Sequence, residues 1–132
     1  MKIPCEVVVW HVLPVIRKEL ANELVTVHNV TQAEVARRFG VTNAAVSQYI
    51  RKKRGESSAI EQCPSYPVFL SSVKESANRI ASGGATIENE TCRLCNIVRT
   101  SGLLAEIYEV VAGEPLVSCD NFGTSAGINE KA

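Results

Sequence analysis

Residues 32–51 read QAEVARRFGVTNAAVSQYIR, and their reading decides the fold. Two short helices joined by a tight turn follow from it. Thr31 is placed as a hydroxyl N-cap before the first helix and Thr42 before the second. Gly40 stands between them, where a left-handed residue ends a helix at least steric cost. Val35, Ala36 and Phe39 fall on one face of the first helix. Ala45, Val46 and Tyr49 fall on one face of the second, at the spacing of a buried stripe. A small residue at Ala36 lets two helices cross closely. The opposite face of the second helix carries Asn43, Ala44, Ser47, Gln48 and Arg51, short hydrogen-bonding groups plus one cation of the kind that reaches base edges. Gln32, at the start of the first helix, and Thr42 complete that candidate contact set. An αα-hairpin packed into a core would show the same stripes. A cationic run is also usually no more than a solvated face. Directly after this second helix, however, Arg51-Lys52-Lys53-Arg54 is suited to holding phosphates.

The pattern closely resembles the helix-turn-helix of phage-repressor-like (XRE-type) transcription factors. The likeness covers about twenty residues: the glycine turn, the small residue four places before it, and apolar anchors on both sides.

Working outward, the 132 residues give room for one average domain or two small ones. The formal net charge is zero, which by itself argues weakly against a nucleic-acid binder, but the charge is unevenly spread. Residues 1–56 hold nine Lys or Arg against five Glu, and residues 57–132 hold five against nine acidic groups. The basic half is the one with the paired helices. No apolar run is long enough to span a bilayer, and the N-terminus lacks a signal-peptide design. The chain therefore reads as soluble and cytoplasmic, with no membrane partner.

Residues 4–28 read as helix, broken or bent at Pro14. Leu13, Ile16, Leu20, Leu24 and Val27 form an apolar stripe, with Arg17, Lys18, Glu19 and Glu23 away from it. Val7, Val8, Val9, Trp10, Val12 and Leu13 are apolar nearly all round, which suits a core or a dimer seam. A core strand is the competing reading, since valine favours strands. Pro4-Cys5-Glu6 favours helix, with proline and acid in the first turn. Arg54-Gly55-Glu56-Ser57-Ser58 reads as a polar linker and domain boundary. Tyr66, Phe69, Leu70, Val73, Ala77 and Ile80 follow helical spacing up to Gly83-Gly84. Residues 84–91 read as a loop and 91–100 as a short helix with Cys92 and Cys95 on its first turn. Leu103, Leu104, Ile107, Val110 and Val111 give a last amphipathic helix. The expected fold is all-α: a DNA-binding domain over 1–56, a helical dimerisation and sensor region over 57–120, and a disordered tail over 121–132.

Five cysteines in a reducing compartment are more often metal ligands or small buried apolar groups than disulfides. Cys92-Arg-Leu-Cys95 lets two thiolates converge on one ion or cluster. Cys119 follows after one helix that can fold back, and Cys63 and Cys5 compete to be the fourth ligand. A redox dithiol is also open, though the thioredoxin reading wants a βαβ context, and so is a pair of inert buried thiols. Zinc ribbons usually offer two close cysteine pairs and only one exists here, so an iron–sulfur cluster is favoured over zinc. Zinc or no metal remain the alternatives. His11, in an apolar segment, reads as a core histidine, and His28 sits at a helix end.

The whole chain is similar to a family of small, mostly archaeal, predicted transcriptional regulators. These pair a phage-repressor-type helix-turn-helix with a short cysteine-bearing C-terminal region. The likeness rests on Pro4-Cys5-Glu6, on Leu13-Pro14-x-Ile16-Arg17, on Val41 to Tyr49, on Lys53-Arg54-Gly55 and on Cys92-x-x-Cys95. It covers residues 1–56 well and the rest loosely. The family's C-terminal region often holds more Cys and His, whereas Leu103, Leu104 and Ile107 stand in that stretch here. The resemblance favours Cys5 over Cys63 as fourth ligand. It implies a homodimer reading a palindromic double-stranded DNA operator, with half-sites about 34 Å apart. An iron–sulfur cluster would make it a sensor of redox state, oxygen or iron. A regulator with a structural zinc site or no metal, answering a small ligand, is the nearest alternative. An antitoxin that binds a toxin and its own operator is another. No phosphate-binding glycine loop and no His–carboxylate–nucleophile set points to an enzyme.

Overall fold

The computed structural model describes residues 3–55 and 59–115. Seven α-helices, a π turn and a 3₁₀ turn account for most of those residues, and no strand occurs among them. The expected all-α class is the one observed. The linker residues Glu56–Ser58, Cys119 and the tail 121–132 lie outside the described residues.

The N-terminal segment is helical throughout, as α1 (Pro4–Val7), a π turn (Val8–Val12) and α2 (Leu13–Thr26). The expected break at Pro14 is replaced by the π turn just before it. Leu13 N–H donates to the Val8 carbonyl five residues back. Proline has no N–H to give to the carbonyl four residues back, and its ring crowds that carbonyl, so a widened turn there relieves both problems without ending the helix.

Helix α3 (Gln32–Phe39) and helix α4 (Asn43–Gly55) follow. The α4 helix continues through Lys53 and Arg54 to Gly55, where a linker was expected. Next come the 3₁₀ turn Ala59–Gln62 and α5 (Tyr66–Ala81). Helix α6 (Ile87–Thr100) starts earlier than expected. Thr86 caps it by accepting from Asn89 N–H at 3.1 Å, and Glu88 and Glu90 favour the positive end of the helix dipole in its first turn. Cys92 and Cys95 therefore lie in mid-helix rather than on a first turn. Helix α7 (Leu103–Ala112) closes the described chain.

Helix α2 is the spine. It packs against α4, α5 and α6, and more lightly against α3. Its stripe Ile16, Leu20, Ala21 and Leu24 is buried, while Val27, expected in that stripe, is exposed where the helix ends. One apolar cluster runs from Val7 to Tyr108 and includes residues on both sides of 56–58. Each buried Leu, Ile or Phe side chain contributes about 1.5–3 kcal/mol.

Two polar residues placed outside this stripe by periodicity are in fact buried. Lys18 and Glu19 are 9% and 3% exposed. Lys18 Nζ donates to Glu61 Oε2 at 2.7 Å, and Glu19 Oε2 accepts from the Tyr66 hydroxyl at 2.6 Å. The partners come from the far side of 56–58 and make the burial tolerable. Val9 and Trp10 show the reverse. Of the run that reads as apolar all round, Val7, Val8 and Val12 enter the core, but Val9 is 53% and Trp10 72% exposed.

Candidate nucleic-acid interface

Local sequence builds the paired helices as their spacing requires. Thr31 Oγ1 accepts from Glu34 N–H at 3.1 Å, and Thr42 Oγ1 accepts from Ala45 N–H at 3.0 Å. Gly40 ends α3 at φ 69° and ψ 34°, the left-handed region in which a Cβ is strained. Its N–H reaches back to the Arg37 carbonyl at 3.3 Å. Val35 and Ala36 of α3 and Val46 and Ile50 of α4 are buried. Tyr49, expected in the buried stripe, is only half-buried, and Ile50 takes the deeper position.

The other side of α4 faces outward. Thr42, Asn43, Ala44, Gln48, Arg51 and Lys52 are exposed. Ser47 is half-buried and donates to Gln32 Oε1 at 2.8 Å, which ties the start of α3 to the second turn of α4. Gln32, Asn43, Ala44, Ser47, Gln48 and Arg51 thus share one surface two helices wide. Lys53 and Arg54 belong to the last turns of α4 by backbone; their side chains lie outside the described residues.

One charged device escaped the sequence reading. Glu34 accepts from Arg37 through both carboxylate oxygens and from Arg38 Nε at 2.7 Å. These hydrogen bonds hold the Glu34 carboxyl down at about 2. Arg38 also donates to the Ile80 carbonyl of α5 at 3.4 Å. The two cations of α3 are therefore held by their own helix, while Arg51 and Lys52 of α4 have no ion pair among the described residues. The signal was present as Glu34-x-x-Arg37-Arg38, the i, i+3 and i, i+4 spacing of helical ion pairs.

The cysteines are spread out. Cys92 is exposed and Cys95 half-buried, three residues apart on α6. Burial pushes the Cys95 thiol up, with Arg99 acting in the opposite sense. Cys63 is buried, and burial together with the Glu106 carboxylate raises its thiol. Cys5 is exposed on α1. Among the described residues no three His, Cys, Asp or Glu groups gather as metal ligands, so neither Cys5 nor Cys63 joins the Cys92–Cys95 pair there. Cys119, the expected third ligand, lies outside the described residues. No described helix is long and apolar enough to cross a membrane.

No protein-family model, no curated protein and no solved structure matches this chain.

Proposed function

We propose that the chain is a sequence-specific DNA-binding regulator acting as a homodimer, with α3 and α4 of each copy as its reading head. Residues 1–56 form the helix-turn-helix unit, and the helices beyond them carry its regulation. Helix α4 lies in the major groove, and Asn43, Ser47 and Gln48 contact base edges. Gln32 braces that face through Ser47. Arg51, with Lys53 and Arg54 following on the same helix, neutralises phosphates. The observation that carries this reading is the outward face of α4. Its exposed groups include short polar side chains and cations, its back is anchored by Val46 and Ile50, and Arg51 and Lys52 have no ion pair among the described residues while the cations of α3 are held by Glu34.

The test is selection of bound duplexes from a random pool by the full chain, followed by titration of the winning sequence. Gln48→Ala or Asn43→Ala is expected to cost about 1–3 kcal/mol and to relax one position in each half-site. Arg51→Ala is expected to weaken all duplexes alike and to flatten the salt dependence by a slope of about 1 per lost contact. A pool that yields no enriched sequence, or a salt slope untouched by Arg51→Ala, removes the reading. Cys119, the expected third ligand, lies outside the described residues, and an iron–sulfur cluster on Cys92, Cys95 and Cys119 is a separate part of this reading. Iron and sulfide counts on protein purified without oxygen, compared with Cys92→Ser, test the cluster independently.

A further inference from the structure

The N-terminal helical segment leaves a large apolar group in solvent beside a groove of matching character. Trp10 is 72% exposed, with exposed Val9 and Ile3 near it in sequence. A monomer that buries Val7, Val8 and Val12 of the same run completely gains nothing from an outward indole. Next to it is a groove of about 230 Å³, the scale of one large side chain. Pro14, Val15, Tyr49 and Ile60 line it together with Trp10 itself, and so do His11, Lys52 and Lys18, the last held by Glu61. Glu6 lies four residues before Trp10 and is exposed, so an acid rides on the same face as the indole.

We propose that this face is the dimer seam. The Trp10 indole of each copy enters the groove of the other, and Glu6 meets Lys52 of the second copy. A knob and a hole on one face, flanked by opposite charges, are self-complementary about a two-fold axis. A buried aromatic anchor with a charged rim is the usual composition of a stable seam. The inference rests on the homodimer proposed above and places its seam in the N-terminal segment and α4 instead of residues 57–120. Because Tyr49 and Lys52 belong to α4, the seam sets the spacing of the two reading heads directly.

Trp10 is the only tryptophan in the chain, so its emission reports this face alone. Sedimentation velocity and Trp10 emission are followed together for the full chain without DNA, over a range of concentrations. The expected result is a monomer–dimer equilibrium in which emission moves to shorter wavelength as dimer forms. Trp10→Glu should raise the dimer Kd on the order of a hundredfold. Its helicity should stay unchanged, and its unfolding midpoint should match that of the native chain diluted to monomer, because the indole is outside the core. Glu6→Lys and Lys52→Glu should each weaken the dimer about tenfold, and the two combined in one chain should restore it. A chain that is monomeric at every concentration, a dimer indifferent to Trp10→Glu, or a charge exchange that restores nothing overturns the seam. A dimer through another face that still selects DNA leaves the DNA reading standing. A Trp10 dimer that selects none overturns that reading and keeps the seam.

Discussion

Glu90 is 6% exposed and accepts from Ser76 Oγ at 2.7 Å, from Arg79 at 3.0 and 3.2 Å and from Arg93 Nε at 3.0 Å. Arg93 also donates to Ser76 Oγ at 2.7 Å, so four side chains of α5 and α6 close a small network. The Arg79 hydrogen bonds, helped by Ser76 and Arg93 and opposed by burial, hold the Glu90 carboxyl at about 2 against an ordinary 4.5. A carboxyl lower in the folded than in the unfolded state stabilises fully above its unfolded value. That contribution is expected to fade as pH falls from about 4.5 towards about 2. Chemical denaturation from pH 7 to pH 2 should show this slope in the native chain and a shallower one in Glu90→Gln. Glu90→Ala should cost about 2–3 kcal/mol at neutral pH, because fully buried Ser76 loses its acceptor. An Ala variant as stable as the native chain would show that Ser76 finds another partner.

At the scale of an element, α3 and α4 are held in place by their ends as much as by their buried faces. Thr31→Ala and Thr42→Ala each remove an N-cap acceptor and should each cost about 1 kcal/mol in thermal or denaturant unfolding. Gly40→Ala places a Cβ at φ 69°, with nothing within 4 Å to clash against. Its penalty is therefore backbone strain alone, about 1–2 kcal/mol. A Gly40→Asn variant should recover part of that, since Asn tolerates the left-handed region. Equal losses for Ala and Asn would point to a cause other than φ. The caps, the turn and the periodic stripes were legible in the sequence because each depends on residues within four positions of one another. The start of α6 was misjudged for a local reason as well. Thr86 and Glu88 fall in a stretch that reads as loop, although a hydroxyl followed by acids is a start signal.

For the whole molecule, Lys18 with Glu61 and Glu19 with Tyr66 span 43 and 47 residues. They bind α2 to the segment that precedes and begins α5. Burial and the Glu19 carboxylate push the Tyr66 phenol upward, so it stays a donor across the accessible pH range. Tyr66→Phe should lose about 1–3 kcal/mol through the lost donor to a buried carboxylate. Because one apolar cluster joins α2 to α4, α5 and α6, the described helices should open together. Hydrogen exchange should give core amides of α4 and α5 the same opening free energy, and Tyr66→Phe should lower both. If only the α5 amides respond, the core is two cooperative units rather than one.

By itself the sequence determined the all-helical class, the N-caps at Thr31 and Thr42, the left-handed Gly40, the buried Val35, Ala36 and Val46, and the polar face of α4. Each follows from helix geometry acting over a turn or two. The tertiary structure alone decided that Lys18 and Glu19 go inside, that Val9 and Trp10 stay outside, that Arg37 and Arg38 contribute to α3 rather than to an open cationic face, and where the thiols stand relative to one another. A polar side chain can be buried only if a partner arrives to satisfy it, and an apolar one is covered only if another element reaches it. Both conditions depend on residues tens of positions away, which no local period encodes.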